Sequence, residues 1–155
     1  MDTSYEGITL EAVGWPVLWG PGQPEATVIA WGLGVFLIHP GRERTQWGLV
    51  RFNQPRGVRY GSPNLEIVDA HPLGGRAEPG KLYVVHESPW RRATEAMNAS
   101  HSGYDADDWS RIRHYFAFLW DYTFECLAKE VEGEVLELEF RDVVARAVSL
   151  LPVSR

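Results

Sequence analysis

The residues with the most chemical potential lie close together, in the run RIRHYFAFLWDYTFECLAKEV from Arg111 to Val131. It contains His114, Glu125 and the only cysteine, Cys126, inside a strongly apolar stretch. An imidazole beside a carboxylate can act as a general acid–base pair, because the carboxylate orients the ring and raises its pKa. Cys126 would need a base or a positive environment to act as a nucleophile. Otherwise it is a small core residue.

Whether these groups meet depends on the backbone. The run reads as two strands folded back near Asp121. Alternate residues of a strand share a face. His114, Phe116 and Phe118 therefore lie together on the first strand, and Thr123, Glu125 and Leu127 on the second. An even loop, either Trp120–Asp121 or Leu119–Tyr122, pairs Phe116 with Glu125 and makes His114 and Glu125 diagonal neighbours. An odd loop puts them on opposite faces. Under the even register Cys126 faces away from His114, as a buried structural thiol.

Three other groups bear on chemistry. His86 and Glu87 stand where a strand meets a helix, a position that can present side chains to a ligand, and Trp120 at the hairpin turn can do the same. His86-Glu87 is not a zinc-protease motif, because Pro89 and Trp90 follow and no second histidine is in place. Arg51, Arg56 and Arg59 flank Gln54-Pro55 and could hold an anionic ligand in a turn. His101 with Asp105, Asp107 and Asp108 fits no metal-loop spacing, and helix capping accounts for the aspartates. No metal and no cofactor are expected. The nucleotide-binding glycine motifs, the GxSxG elbow and CxxC are all missing from the sequence.

The surrounding chain sets the frame. Strands are expected at 8–13, 26–39, 47–53, 65–70, 81–87 and 134–139, besides the two of the hairpin. The long 26–39 segment is interrupted by Gly32 and Gly34, which mark a bend or bulge. Pro55 and Gly57 read as a break. Ser88-Pro89 starts a helix to about Met97, by a hydroxyl cap and a proline at the first position. Residues 98–108 read as a mobile loop in which Asp105 or Asp107 caps a short turn. Leu136, Phe140, Val143, Val144, Ala147 and Leu151 have helical spacing, so a C-terminal helix spans about 140–150. The links between most strands are too short for crossover helices. The expectation is a single α+β domain over 1–155. It is a curved, mostly antiparallel sheet of six to eight strands with one or two helices.

Bulk properties narrow the function. A net charge of −6 argues against nucleic acid. No run is long and apolar enough for a membrane span. The first residues are acidic and do not form a signal peptide. One cysteine cannot make an internal disulfide, so a reducing, cytoplasmic setting is the simplest expectation. The chain has 7 Trp and 6 Tyr, residues that suit pockets and interfaces. Two functions fit. The first is a small interaction protein of immunity or regulatory type, with an acidic, aromatic surface for a basic partner. The alternative is a small enzyme or small-molecule binder, with an aromatic pocket on the curved sheet and His114 and Glu125 at its polar end. The first requires an exposed acidic and aromatic patch, the second a deep pocket.

Overall fold

The computed structural model describes residues 6–14, 26–62, 69–119 and 121–151. Their elements run β1 (Thr9–Val13), β2 (Thr27–Trp31), β3 (Gly34–Pro40), β4 (Trp47–Asn53), β5 (Gly57–Gly61), β6 (Leu82–His86), α1 (Pro89–Asn98), α2 (Ala106–Ser110), β7 (Arg113–Phe118), β8 (Thr123–Ala128), β9 (Glu130–Leu136) and α3 (Phe140–Ser149). The class is α+β, with antiparallel sheets and a C-terminal helix. The strands form two sheets, not one curved sheet of six to eight. Sheet A has the order β1-β6-β7-β8-β5, and sheet B the order β2-β3-β4-β9.

The two sheets pack face to face. Val35, Leu37, Val50 and Phe52 of sheet B meet Leu82, Val84, Tyr115, Ala117, Phe124 and Cys126 of sheet A. Phe52 ties the layers, with its ring 5.5 Å from that of Tyr115 and 5.0 Å from that of Phe124. Because side chains alternate, each sheet also has an outer face. That of sheet A is covered by Leu73 of the 69–80 loop over Phe116 and Phe118, and by Trp90 and Trp109 near Leu127. That of sheet B is covered by α3, whose Val143 and Ala147 are buried against Phe36, Ile38 and Leu49.

Several expectations need correction. The 26–39 segment is a hairpin of two strands. Trp31 pairs with Gly34, leaving Gly32-Leu33 as a two-residue turn. Gly32 has φ +48, and a positive φ at the first turn position is the conformation that favours glycine. Gly57 does not break the chain but opens β5, which pairs with β8. Of the strand expected at 65–70, residues 65–68 lie outside the described residues, and Asp69 and Ala70 form a tight turn. The last strand begins earlier than expected, at Glu130, and stops at Leu136. The 98–108 segment is pinned by successive turns, with His101 N–H donating to the Asn98 carbonyl and Tyr104 N–H to that of His101. No helix among the described residues is long and apolar enough to cross a membrane.

Candidate functional site

The loop joining β7 to β8 settles the register. Phe118 pairs with Thr123, so the loop is Leu119–Tyr122, an even four residues. Phe116 then pairs with Glu125, and His114 with Leu127. His114 and Glu125 share the outer face of sheet A, with His114 Nε2 2.8 Å from Glu125 Oε2. The two atoms are not aligned as a hydrogen bond, and neither has another hydrogen-bonding partner among the described residues. Cys126 faces sheet B and is fully buried, which pushes its thiol well above the ordinary range.

Three further side chains complete the cluster. Ser88 Oγ lies 2.8 Å from His114 Nδ1. His71 Nε2, from the covering loop, and Arg59 Nη1, from β5, each lie 3.7 Å from Glu125 Oε1. Register explains Arg59, which pairs directly with Glu125. Its guanidinium also sits 4.1 Å above the Trp90 ring. Trp90 meets His114 edge-on at 5.1 Å, and His71 stacks on Phe116 at 5.0 Å. Gly57 makes room for the indole, since a β-carbon there would lie 3.0 Å from it.

The electrostatics follow from burial. Burial pushes the Glu125 carboxyl up, but contact with His114 and then His71 outweighs it and brings the group down to about 2. Burial lowers the His114 pKa, against the raising effect of Glu125. A cationic His114 would suit the carboxylate, but a ring with no exposed surface resists the charge. We take the neutral ring beside an ionised carboxylate. The proton then sits on Nε2, facing Glu125, and Nδ1 accepts from the Ser88 hydroxyl.

Ser88, His114 and Glu125 thus form a hydroxyl–imidazole–carboxylate chain. The backbone before it is strained, with Glu87 at φ +55. Two features set it apart from a working nucleophile. Ser88 Oγ caps α1 by accepting the Arg91 N–H at 3.0 Å, and its residue is 2% exposed. The next residue, Pro89, has no N–H to stabilise an oxyanion. The chain joins α1, β7 and β8, while Arg59 and His71 fasten β5 and the covering loop to the same carboxylate.

The other candidates fall elsewhere. Arg51, Arg56 and Arg59 do not converge on an anion, because each has its own acid. Arg51 faces Glu132 at 3.7 Å, Arg56 binds Asp108, and Arg59 faces Glu125. β4 and β5 belong to different sheets, so the turn between them splays the three apart. His86 pairs with Glu11 across β1 and β6 at 2.6 Å. Trp120 lies outside the described residues. Asp105 caps α2, accepting from Asp107 and Asp108 N–H. Asp108 is bound by Lys129 and Arg56, which hold its carboxyl below the usual range. No group of His, Cys, Asp and Glu among the described residues is arranged to hold a metal ion.

A second place, on the rim of sheet B, was not singled out by the sequence. β9 runs into Glu137-Leu138-Glu139 and then α3. These residues and Phe140 line a groove of about 610 Å³ with Trp47 and Arg44. The Trp47 and Phe140 rings are 4.9 Å apart. Leu138 and Phe140 stay 42% and 39% exposed, and both glutamates are exposed. The signal was present in EVLELEF, where acids alternate with large apolar residues, but the partner Trp47 is remote in sequence.

Comparison with known proteins gave no match, whether to a family, to a curated protein or to a solved structure.

Proposed function

We propose that the protein is a small interaction protein, of immunity or regulatory type, that covers a basic site on a partner protein. The observation that carries this reading is the groove on the rim of sheet B. It combines the exposed Leu138 and Phe140, the latter packed on Trp47, with two carboxylates against one guanidinium. A lysine or arginine over an aromatic face, flanked by acids, gains both cation–π and Coulomb attraction. The net charge of −6 adds long-range attraction for a basic partner. The single thiol suits a cytoplasmic setting. The test is affinity capture from the native cell with wild type and with Glu137→Lys/Glu139→Lys. The expected result is a basic protein held at unit stoichiometry by the wild type and released by the variant. Equal capture by both would overturn the reading.

A second reading, a small enzyme or ligand binder, is favoured by the Ser88–His114–Glu125 chain alone. It requires that Ser88 be reached by substrate. Labelling of Ser88 by a fluorophosphonate, lost in His114→Gln, would support it. No labelling of the folded protein would end it.

A further inference from the structure

We propose that the free edge of β9 accepts an extended basic segment of the partner as an added strand, with one end beside Glu137 and Glu139. This rests on the interaction reading above and supplies its binding mode. β9 pairs with β4 at every position from Glu130↔Asn53 to Leu136↔Trp47, without a bulge. It ends the strand order of sheet B, and among the described residues no strand lies beyond it. Its outer side therefore offers a row of backbone donors and acceptors. Proteins usually blunt such an edge with charged side chains, lysine above all, with proline or with a bulge. β9 has no lysine, proline or bulge, and its glutamates repel only a strand that is itself acidic. It is a regular seven-residue edge, the kind to which peptides add.

The side chains state which strand would fit. Glu130, Glu132 and Glu134 share one face of β9. Glu132 faces Arg51, and Glu134 meets Arg146 at 3.1 Å. Among the described residues Glu130, Glu137 and Glu139 are in no ion pair. Like charges directly across a strand pair are destabilising. A second copy of β9 would bring glutamates against glutamates, so the edge selects against self-pairing. A strand with lysine or arginine at alternate positions reverses the sign. Its other face meets the half-exposed Val135 and should be small or apolar. β9 continues directly into Glu137 and Glu139, so one end of the added strand comes beside these two carboxylates, while Trp47 and Arg44 of the groove stand on the paired side of β9.

The experiment uses three capped nine-residue peptides on the whole protein. The first alternates lysine and threonine. The second has the same sequence with alternate backbone nitrogens methylated. The third replaces lysine by glutamate. Binding is read by fluorescence anisotropy, and the site by hydrogen exchange. The first peptide should bind and protect β9 amides. The second should bind at least tenfold more weakly, since its charge is kept but its strand hydrogen bonds are lost. The third should not bind. Glu130→Lys should weaken the first peptide without unfolding the chain, since Glu130 is exposed. Equal binding of the first two peptides would overturn strand addition. If that binding is also lost in Glu137→Lys/Glu139→Lys, the groove reading survives. No binding of the first peptide overturns the strand proposal, while the capture experiment still judges the groove. Protection of β9 that rises with protein concentration, without peptide, would assign the edge to a second copy and overturn it too.

Discussion

On the outer face of sheet A, a buried carboxylate is tied to side chains from three other segments. On the rim of sheet B, carboxylates stand in water beside the exposed Phe140 ring. Glu125 is 4% exposed and meets three cationic or hydrogen-bonding side chains from separate segments. Glu137 and Glu139 are exposed, and among the described residues Glu137 meets only Gln46, at 3.4 Å. The first arrangement commits its polar groups to one another, so their removal is felt in folding. The second keeps its groups uncommitted, so their removal is felt in binding. The difference separates two uses of the same residue type within one sandwich.

The strongest way to break this comparison is to delete the hub. Glu125→Ala should cost about 3 kcal/mol, because it leaves the buried His114 N–H without its carboxylate and a cavity beside it. A denaturant midpoint measures this. A cost under 1 kcal/mol would mean that the cluster does not hold sheet A together.

The acid response comes next. Glu125 has a lowered folded pKa, so its stabilisation is complete above the usual 4.5 and disappears as pH falls towards about 2. Integrated, that shift is worth about 3 kcal/mol. His39, buried between the sheets, is brought down to about 4 by burial, against the raising effect of its contact with the Pro40 carbonyl. The unfolded chain takes up that proton first, so stability also falls between pH 6.5 and 4. Glu125→Gln should remove the lower window. His39→Gln should narrow the upper window without removing it, because burial lowers the His114 pKa as well. Stability measured against pH separates the two.

Ser88→Ala is expected to cost about 1–2 kcal/mol, from a lost cap and a lost partner for the His114 ring. Hydrogen exchange should place the loss at the start of α1. The smallest effect is expected on sheet B. Glu137→Gln/Glu139→Gln should change stability by no more than about 0.5 kcal/mol. A larger loss in thermal unfolding would show that the rim is structural after all and erase the contrast.

Much of this was legible in the sequence, for identifiable reasons. β4, β6, the first hairpin strand, α1 and α3 carry strong periodic or capping signals, and their bounds agree within a residue or two, whereas the second hairpin strand stops at Ala128 and Glu130 and Val131 belong to β9. The even loop was one of two stated possibilities, because parity there depends on local turn geometry. β5 was hidden by its length and by Pro55 beside it, and only its pairing with β8 gives it meaning. Which strands share a sheet is a long-range property that alternation cannot report. The Ser88-Pro89 pair announces the cap of α1 in the sequence, and Ser88 Oγ accepts the Arg91 N–H. Its second role needed His114, 26 residues away. His71 looked like one residue of a turn-rich stretch, with nothing to indicate that it reaches Glu125.

The four-residue loop Leu119–Tyr122 has an evolutionary consequence. A residue added or lost there can be taken up in two ways. If the turn absorbs it, as hairpin loops of three or five residues do, Phe116 keeps its pairing with Glu125 and the cluster survives. If the ladder slips to restore a four-residue turn, one strand turns over relative to its neighbour, sending Glu125 into the interior and Cys126 out beside His114. A relative whose loop differs by one residue should therefore either keep the histidine and the glutamate together or have lost both.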